Sequence, residues 1–254
     1  MIKEGDTVHL RSKKNSFFVK VERGKIFGTH KGNINLEELI GKEYGSIIKT
    51  HKGEEFLVLK PSLFEIIMFG IKRQTQIIYP KDSAYITLKL GLTDRMKVLE
   101  SGVGSGALSI IMANAVKPNG KIYGFEKEKK YITRAYKNIS LAGLEEYVEI
   151  KHQSLEEKLP ENFFDAGFID VREPWFYIEN IKNSLKSGAN LGFLVPTTNQ
   201  ISLLLDELKN HNFLQLEVIE LLERHYKPVP DRLRPEDRMI AHTGYLIFAK
   251  KGVS

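Results

Sequence analysis

The hydrophobic period changes at Lys97, and that change constrains the fold more than any other feature of the chain. Beyond it, Lys97–Glu100, Lys121–Glu126, Tyr147–Lys151, Ala166–Asp170 and Asn190–Val195 are short apolar runs of the buried-strand kind. Helical stretches at Ala107–Ala115, Lys129–Ala142 and Tyr177–Leu185 alternate with them, and Asn199–His211 reads as one more helix. Such alternation specifies βαβ units, that is, a parallel sheet with helices on both faces. Leu214–Glu223 and Gly244–Lys250 read as two longer strands split by a proline-broken loop, which suits an antiparallel finish.

Before Pro61 the period is two. Thr7–Ser12, Ser16–Val21 and Lys25–Thr29 alternate apolar and polar residues, with turn signals at Lys14-Asn15 and Arg23-Gly24. Gly45–Thr50 and Glu55–Lys60 flank the turn His51-Lys52-Gly53, and Leu36–Ile40 reads as a short helix. Pro61–Gly70 reads as a helix with proline in its first turn. The expected organisation is a small N-terminal β-rich module, residues 1–60, and a doubly wound α/β domain, residues 61–254.

Composition removes several chemistries. There is no cysteine, so disulfides, a thiolate nucleophile and cysteine-ligated metals are excluded. The seven histidines are scattered without the close pairing of a histidine metal site, so no metal is expected. No apolar run approaches the ~20 residues that cross a bilayer, and the start MIKEGDTVHL lacks the apolar stretch of a secretory signal. A cytoplasmic protein without a membrane association is expected. The net charge is +6, and residues 1–60 hold twelve basic against eight acidic side chains. Arg224–Arg238, RHYKPVPDRLRPEDR, is a second basic stretch. Both are solvated faces unless the chemistry points to a polyanion.

The first strand of the α/β domain runs into Glu100-Ser101-Gly102-Val103-Gly104-Ser105-Gly106, and a helix follows at once. Glycines there let the backbone turn tightly and approach a ligand that a Cβ would exclude. The spacing is G-x-G-x-G, not the G-x-G-x-x-G of dinucleotide sites. Glu100 is poor company for a pyrophosphate and good company for a cation. The second strand ends at Glu126, where a carboxylate reaches both hydroxyls of a ribose. Together these features favour S-adenosylmethionine over NAD.

The fourth strand ends in Ile169-Asp170-Val171-Arg172-Glu173-Pro174-Trp175. Ligands in open α/β sheets sit beyond the carboxyl ends of the strands, so Asp170 faces the reacting centre, unless it only caps the next helix while Trp175 packs. Arg73–Asp82, RQTQIIYPKD, is too polar for a core strand and reads as a binding segment folded over the pocket; Asp82 alternatively caps the helix after it.

The combination resembles the tRNA (adenine-N1)-methyltransferases that modify adenine 58 of the T-loop, in their bacterial and archaeal homotetrameric branch. The resemblance rests on RQTQIIYPKD, VLESGVGSGALS, the acid in YGFEKE, Asp170 to Pro174-Trp175, PTTNQ at Pro196–Gln200, Glu220 to Arg224, Arg234-Pro235 and HTGYLIFAK. It implies a Rossmann-like class I methyltransferase sheet, S-adenosylmethionine as cofactor, tRNA as partner and a homotetramer. By position, Gly102, Val103, Gly104, Ser105, Gly106 and Leu108 line the methionine end of the cofactor, together with Glu100. Glu126, flanked by Lys127, holds the ribose, and Gln153 and Ser154 lie by the adenine. Gln76 and Tyr79 lie over the transfer centre, and Asp170 meets the target base. Val103, Arg172 and Ser154 depart from the family pattern, where a small polar residue, a proline and an acid are usual.

Two other readings share parts of the pattern. A methyltransferase acting on a protein or small molecule keeps the cofactor half but needs no basic module. A non-catalytic RNA-binding subunit is expected to lose the glycine loop or Asp170, and this chain has both.

Overall fold

The computed structural model describes residues 1–239 and 241–252. Six short strands come first: β1 Thr7–Arg11, β2 Ser16–Lys20, β3 Ile26–Thr29, β4 Gly32–Asn35, β5 Ile47–Lys49 and β6 Glu55–Leu59. Four of them form an antiparallel sheet in the order β2-β1-β6-β5, and β3 pairs with β4 as a separate hairpin. The two-residue period buries Val8 and Leu10 of β1 and Phe56 and Val58 of β6, and the 3-10 turn Leu36–Leu39 closes this core with Leu36 and Leu39. β4 has no counterpart in the sequence reading. Its residues GNIN have little strand propensity, and it is held by pairing across the Thr29–Gly32 turn.

The expected helix over Pro61–Gly70 is not one regular helix. Ser62 and Glu65 form a reciprocal capping box that starts a single turn, α1 Leu63–Glu65, and the backbone then widens into a π turn, Ile66–Gly70. Gly70 lies against the ring of Phe18 on β2, where a Cβ would sit 3.0 Å from the ring carbon.

The large sheet contains β7 Lys97–Ser101, β8 Lys121–Glu126, β9 Val148–His152, β10 Phe164–Ile169, β11 Leu185–Val195, β12 Phe213–Ile219 and β15 Tyr245–Lys251. Two-residue strands β13 Tyr226–Lys227 and β14 Arg234–Pro235 pair inside the basic loop. The sheet order is β12-β15-β11-β10-β7-β8-β9; β7 to β11 are parallel, and β15 runs antiparallel between β11 and β12. Helices α2 Pro80–Lys89, α3 Ala107–Val116, α4 Lys129–Leu141, α5 Ile178–Ser184 and α6 Thr198–Asn210 cover it, and two separate apolar clusters flank the sheet. This is the expected class I methyltransferase architecture.

Boundaries move where tertiary pairing overrides local pattern. β11 begins at Leu185 instead of Asn190, because Leu185 pairs with Phe164 across a register shift. β12 ends at Ile219, which releases Glu220–Glu223 from the sheet. Strand order reverses at β7, with β8 and β9 on one side and β10 and β11 on the other. The crevice beyond that switch point is where a ligand fits. The N-terminal sheet packs on α4: the Thr7 hydroxyl donates to Leu141 O at 2.5 Å, and Lys20 Nζ lies 2.5 Å from Glu145 Oε1. No described helix is long and apolar enough to cross a membrane.

Candidate active site

A cleft of about 440 Å³ opens at the carboxyl ends of β7, β8 and β10. Its floor is the glycine loop. Gly102 adopts φ +85°, and a Cβ there would overlap the carbonyl of Asp170. Gly104 adopts φ +53°, and a Cβ there would fall 2.7 Å from Thr75 Oγ1. Gly106, at φ +78°, ends the loop as the N-cap of α3, packs against Ala135 and does not line the cleft. Glycine is therefore demanded by backbone conformation and close approach together. Val103 lines the cleft and is buried against Gly124 of β8, which explains an apolar residue at this position.

Three carboxyl groups surround this floor. Glu126, 6% exposed, accepts from Gly104 N at 3.0 Å through Oε2 and from Glu128 N at 2.9 Å through Oε1. Each oxygen keeps a lone pair for a further donor. Glu100, 2% exposed, accepts from the Ser109 hydroxyl at 2.6 Å. Desolvation raises its carboxyl to about 8; the Ser109 bond opposes this, and the charges of Asp170 and Glu126 add to it. Asp170 is raised to about 7, again by burial. Its backbone N donates to Ser101 O at 2.8 Å, which fixes the turn beside Gly102. Among the described residues its carboxylate has no hydrogen-bond donor, and the following 3-10 turn, Pro174–Tyr177, has Glu173 at its N-cap. A capping role for Asp170 is thus absent from the geometry.

Gln76, Leu108, Lys127, Gln153 and Ser154 also line the cleft, as do Thr75, Ile77 and Ile78 of the segment expected to fold over the pocket, and Phe125, Tyr131, Leu155 and Tyr177, which the sequence reading did not single out. Tyr131 and Tyr177 carry no motif; only the fold brings them here. Ser105 lines the cleft as expected and has a second part: its side-chain oxygen accepts from Gln74 N at 3.1 Å and Thr75 N at 3.3 Å, so it also holds the RQTQ segment. The Ser154 hydroxyl accepts from Glu156 N, and Gln153 Nε2 donates to Lys158 O, so both shape a turn at the rim. Tyr79 and Trp175 do not line the cleft. Tyr79 is the N-cap residue of α2; its hydroxyl accepts from Gln76 Nε2 at 3.2 Å, and the Arg73 guanidinium lies 5.9 Å from its ring centre. Asp82 sits within the first turn of α2 and is not its cap.

The arrangement suits a ribose-bearing, cationic small molecule: a carboxylate at the end of β8, a floor open to close backbone approach and two further acids nearby. Among the described residues no group of three or more His, Cys, Asp or Glu is placed to hold a metal ion. Outside the cleft, Arg23 pairs with Glu4 and Glu37, and Lys25 with Glu22, whereas Lys13 and Lys14 are exposed on the β1–β2 turn.

Residues 56–238 match the family described as "tRNA methyltransferase complex GCD14 subunit", and residues 1–48 match "TrmI-like N-terminal". The chain is 30% identical to the tRNA (adenine(58)-N(1))-methyltransferase TrmI of Thermus thermophilus, an alignment spanning 94% of each. A crystal structure of tRNA (m1A58) methyltransferase TrmI from Aquifex aeolicus aligns with a TM-score of 0.79 at 42% identity, covering 100% of this chain and 99% of that one. A Thermotoga maritima structure described as a SAM-dependent O-methyltransferase aligns with a TM-score of 0.85 at 41% identity, covering 100% of this chain and 95% of that one.

Proposed function

The chain belongs to the tRNA (adenine-N1)-methyltransferase family, and on that premise we propose that it transfers the methyl group of S-adenosylmethionine to N1 of adenine 58 in the T-loop of tRNA. The observation that carries this reading is Asp170, a half-buried carboxyl without a donor among the described residues, whose backbone carbonyl lies against Gly102 in the cleft that Glu126 also lines. When bound, S-adenosylmethionine supplies a methyl group activated by its sulfonium. The rest falls to the chain. Glu126 offers its remaining lone pairs to the ribose hydroxyls, while Gly102 and Gly104 leave room for the methionine end. Glu126 and the ionised form of Asp170 set a negative field around the sulfonium, while protonated Glu100 stands beneath them as a neutral group.

Adenine N1 has its own lone pair, so the site needs no strong base. It needs an acceptor that aligns the base through N6–H and offsets the positive charge that grows on the ring, and Asp170 has the chemistry for both. N1 lies on the Watson–Crick edge of a base stacked within the T-loop, so the base must leave its stack to reach the cleft. Tyr79, at the end of the overhanging segment, and Trp175, on the turn after Asp170, offer rings for stacking, worth about 1–3 kcal/mol. Lys13, Lys14, Arg224, Arg232 and Arg238 are exposed cations available to phosphates. The same reading includes a β-rich module over residues 1–60, a methyltransferase domain over 61–254, a homotetramer and a cytoplasmic setting.

The test is incubation with methyl-labelled S-adenosylmethionine and an unmodified tRNA transcript, followed by mapping of the modified nucleotide. Label at N1 of adenine 58 supports the reading. Label at another nucleotide, or transfer only to a protein or small molecule, overturns it.

A further inference from the structure

The RQTQIIYPKD segment is tied down at both ends. On the glycine-loop side, Asn138 of α4 is 3% exposed and makes three bonds. Its Oδ1 accepts from Lys72 N at 3.0 Å, and its Nδ2 donates to Lys72 O at 2.9 Å and Ser105 O at 2.8 Å. Ser105 Oγ then takes the amides of Gln74 and Thr75. One side chain thus joins the segment to the loop under the cleft.

The other end is ionic. The Lys81 ammonium lies within 2.7–2.9 Å of both Asp82 carboxylate oxygens, the Leu221 carbonyl and the Thr243 hydroxyl. Thr243 donates onward to Asp82 Oδ2 at 2.9 Å. Lys81 and Asp82 are nearly buried, with side chains 12% and 2% exposed, so each depends on the other's charge. Thr243 is itself fixed by its neighbour: the His242 ring nitrogens lie 2.7 Å from Glu220 Oε1 and 3.0 Å from Pro196 O. Between the two anchors, Gln76, Ile77 and Ile78 line the cleft and Tyr79 follows as the N-cap residue of α2.

We propose that residues 72–82 are a strap held at a set height over the glycine loop, and that Asn138 and Thr243 are positioning residues for methyl transfer. Neither touches the reacting atoms. Each removes slack from a segment that must keep its lining residues in register with Asp170 and Glu126, since small misplacements cost rate steeply. The kinetic part rests on the function proposed above; the anchoring part does not.

Thr243→Val keeps the shape and removes the hydroxyl bridge, and Thr243→Ser restores it. In Thr243→Val, kcat for tRNA methylation should fall about tenfold, the scale of one lost hydrogen bond. The S-adenosylmethionine dissociation constant should change less than kcat, because Glu126 and the glycine loop are intact. Exchange of the bonded strap amides, Gln74 and Thr75 on Ser105 Oγ and Asp82 and Ser83 on Tyr79 O, should speed up by a similar factor while exchange in β7 stays as in wild type, and Thr243→Ser should recover both. Asn138→Ala should produce the same exchange pattern from the opposite end. Unchanged exchange at Gln74, Thr75, Asp82 and Ser83 in both folded variants overturns the strap, as does acceleration that spreads equally to β7. If the wild type methylates no tRNA but the local exchange pattern appears, the anchoring stands and the functional reading falls.

Discussion

Gly104 N donates to Glu126 Oε2 at 3.0 Å, so the glycine loop of β7 and the acid ending β8 form one unit. Glu126→Ala should therefore do two things: remove a charged acceptor from the ribose and release the loop. S-adenosylmethionine binding should weaken by about 1.5–3 kcal/mol, the range for bonds to a charged group. Glu126→Gln should fall between, since it keeps one acceptor oxygen. Calorimetric titration of the three proteins checks the order.

Gly102→Ala should be costly. The left-handed φ alone costs about 1–3 kcal/mol for a residue with a Cβ, and overlap with the Asp170 carbonyl adds to it. Because Asp170 is the group displaced, the residual folded protein should lose transfer rate as well as stability. Urea unfolding beside single-turnover methylation measures both; a Gly102→Ala protein as stable as wild type refutes the predicted clash.

Asp170→Ala should lower kcat about 10²–10³-fold, with little change in cofactor affinity. The pH profile gives an independent check. The acceptor form is the ionised one, and burial raises this carboxyl to about 7, so kcat/KM should climb as pH rises through that value. In Asp170→Asn, that limb should vanish. A wild-type profile flat between pH 6 and 8 removes the residue from the rate-determining chemistry.

Stability should fall as pH rises. In the folded chain Glu100 holds its proton to about 8, against 4.5 ordinarily, and Asp170 to about 7, against 3.8. Between those limits the folded state binds more protons than the unfolded one, so raising the pH favours unfolding. The free protein's Tm should drop from pH 5 to pH 9, and Glu100→Gln should flatten the drop. Binding the cofactor's cation near these acids should release protons near pH 7, seen as a buffer-dependent heat in calorimetry.

The salt dependence of tRNA binding should separate free cations from paired ones. Neutralising exposed Lys13 and Lys14 should lower the slope against log[salt] by roughly 0.7–0.9 per lost phosphate contact. Neutralising Arg23 and Lys25, already paired with Glu4, Glu37 and Glu22, should change it much less. Equal effects from the two pairs would assign both to the binding face.

The sheet, the glycine loop and the places of Glu126 and Asp170 at strand ends are legible from residue order alone. Strand and helix periods are local, and the carboxyl end of a parallel strand is legible wherever an apolar run meets a glycine or an acid. Tertiary structure alone decided the rest, because those features depend on residues distant in the chain. Ser105 reads as a cleft-lining residue and is one, but that its hydroxyl also holds Gln74 and Thr75, about thirty positions earlier, is visible only in the fold. Tyr131 and Tyr177 enter the cleft only because α4 and the turn after β10 converge there. The anchoring of Lys81 and Asp82 by Thr243 spans more than 160 residues, and no local pattern encodes it. The raised Glu100 and Asp170 carboxyls likewise exist only once the sheet has closed around them, since desolvation belongs to the packed interior and not to the residue.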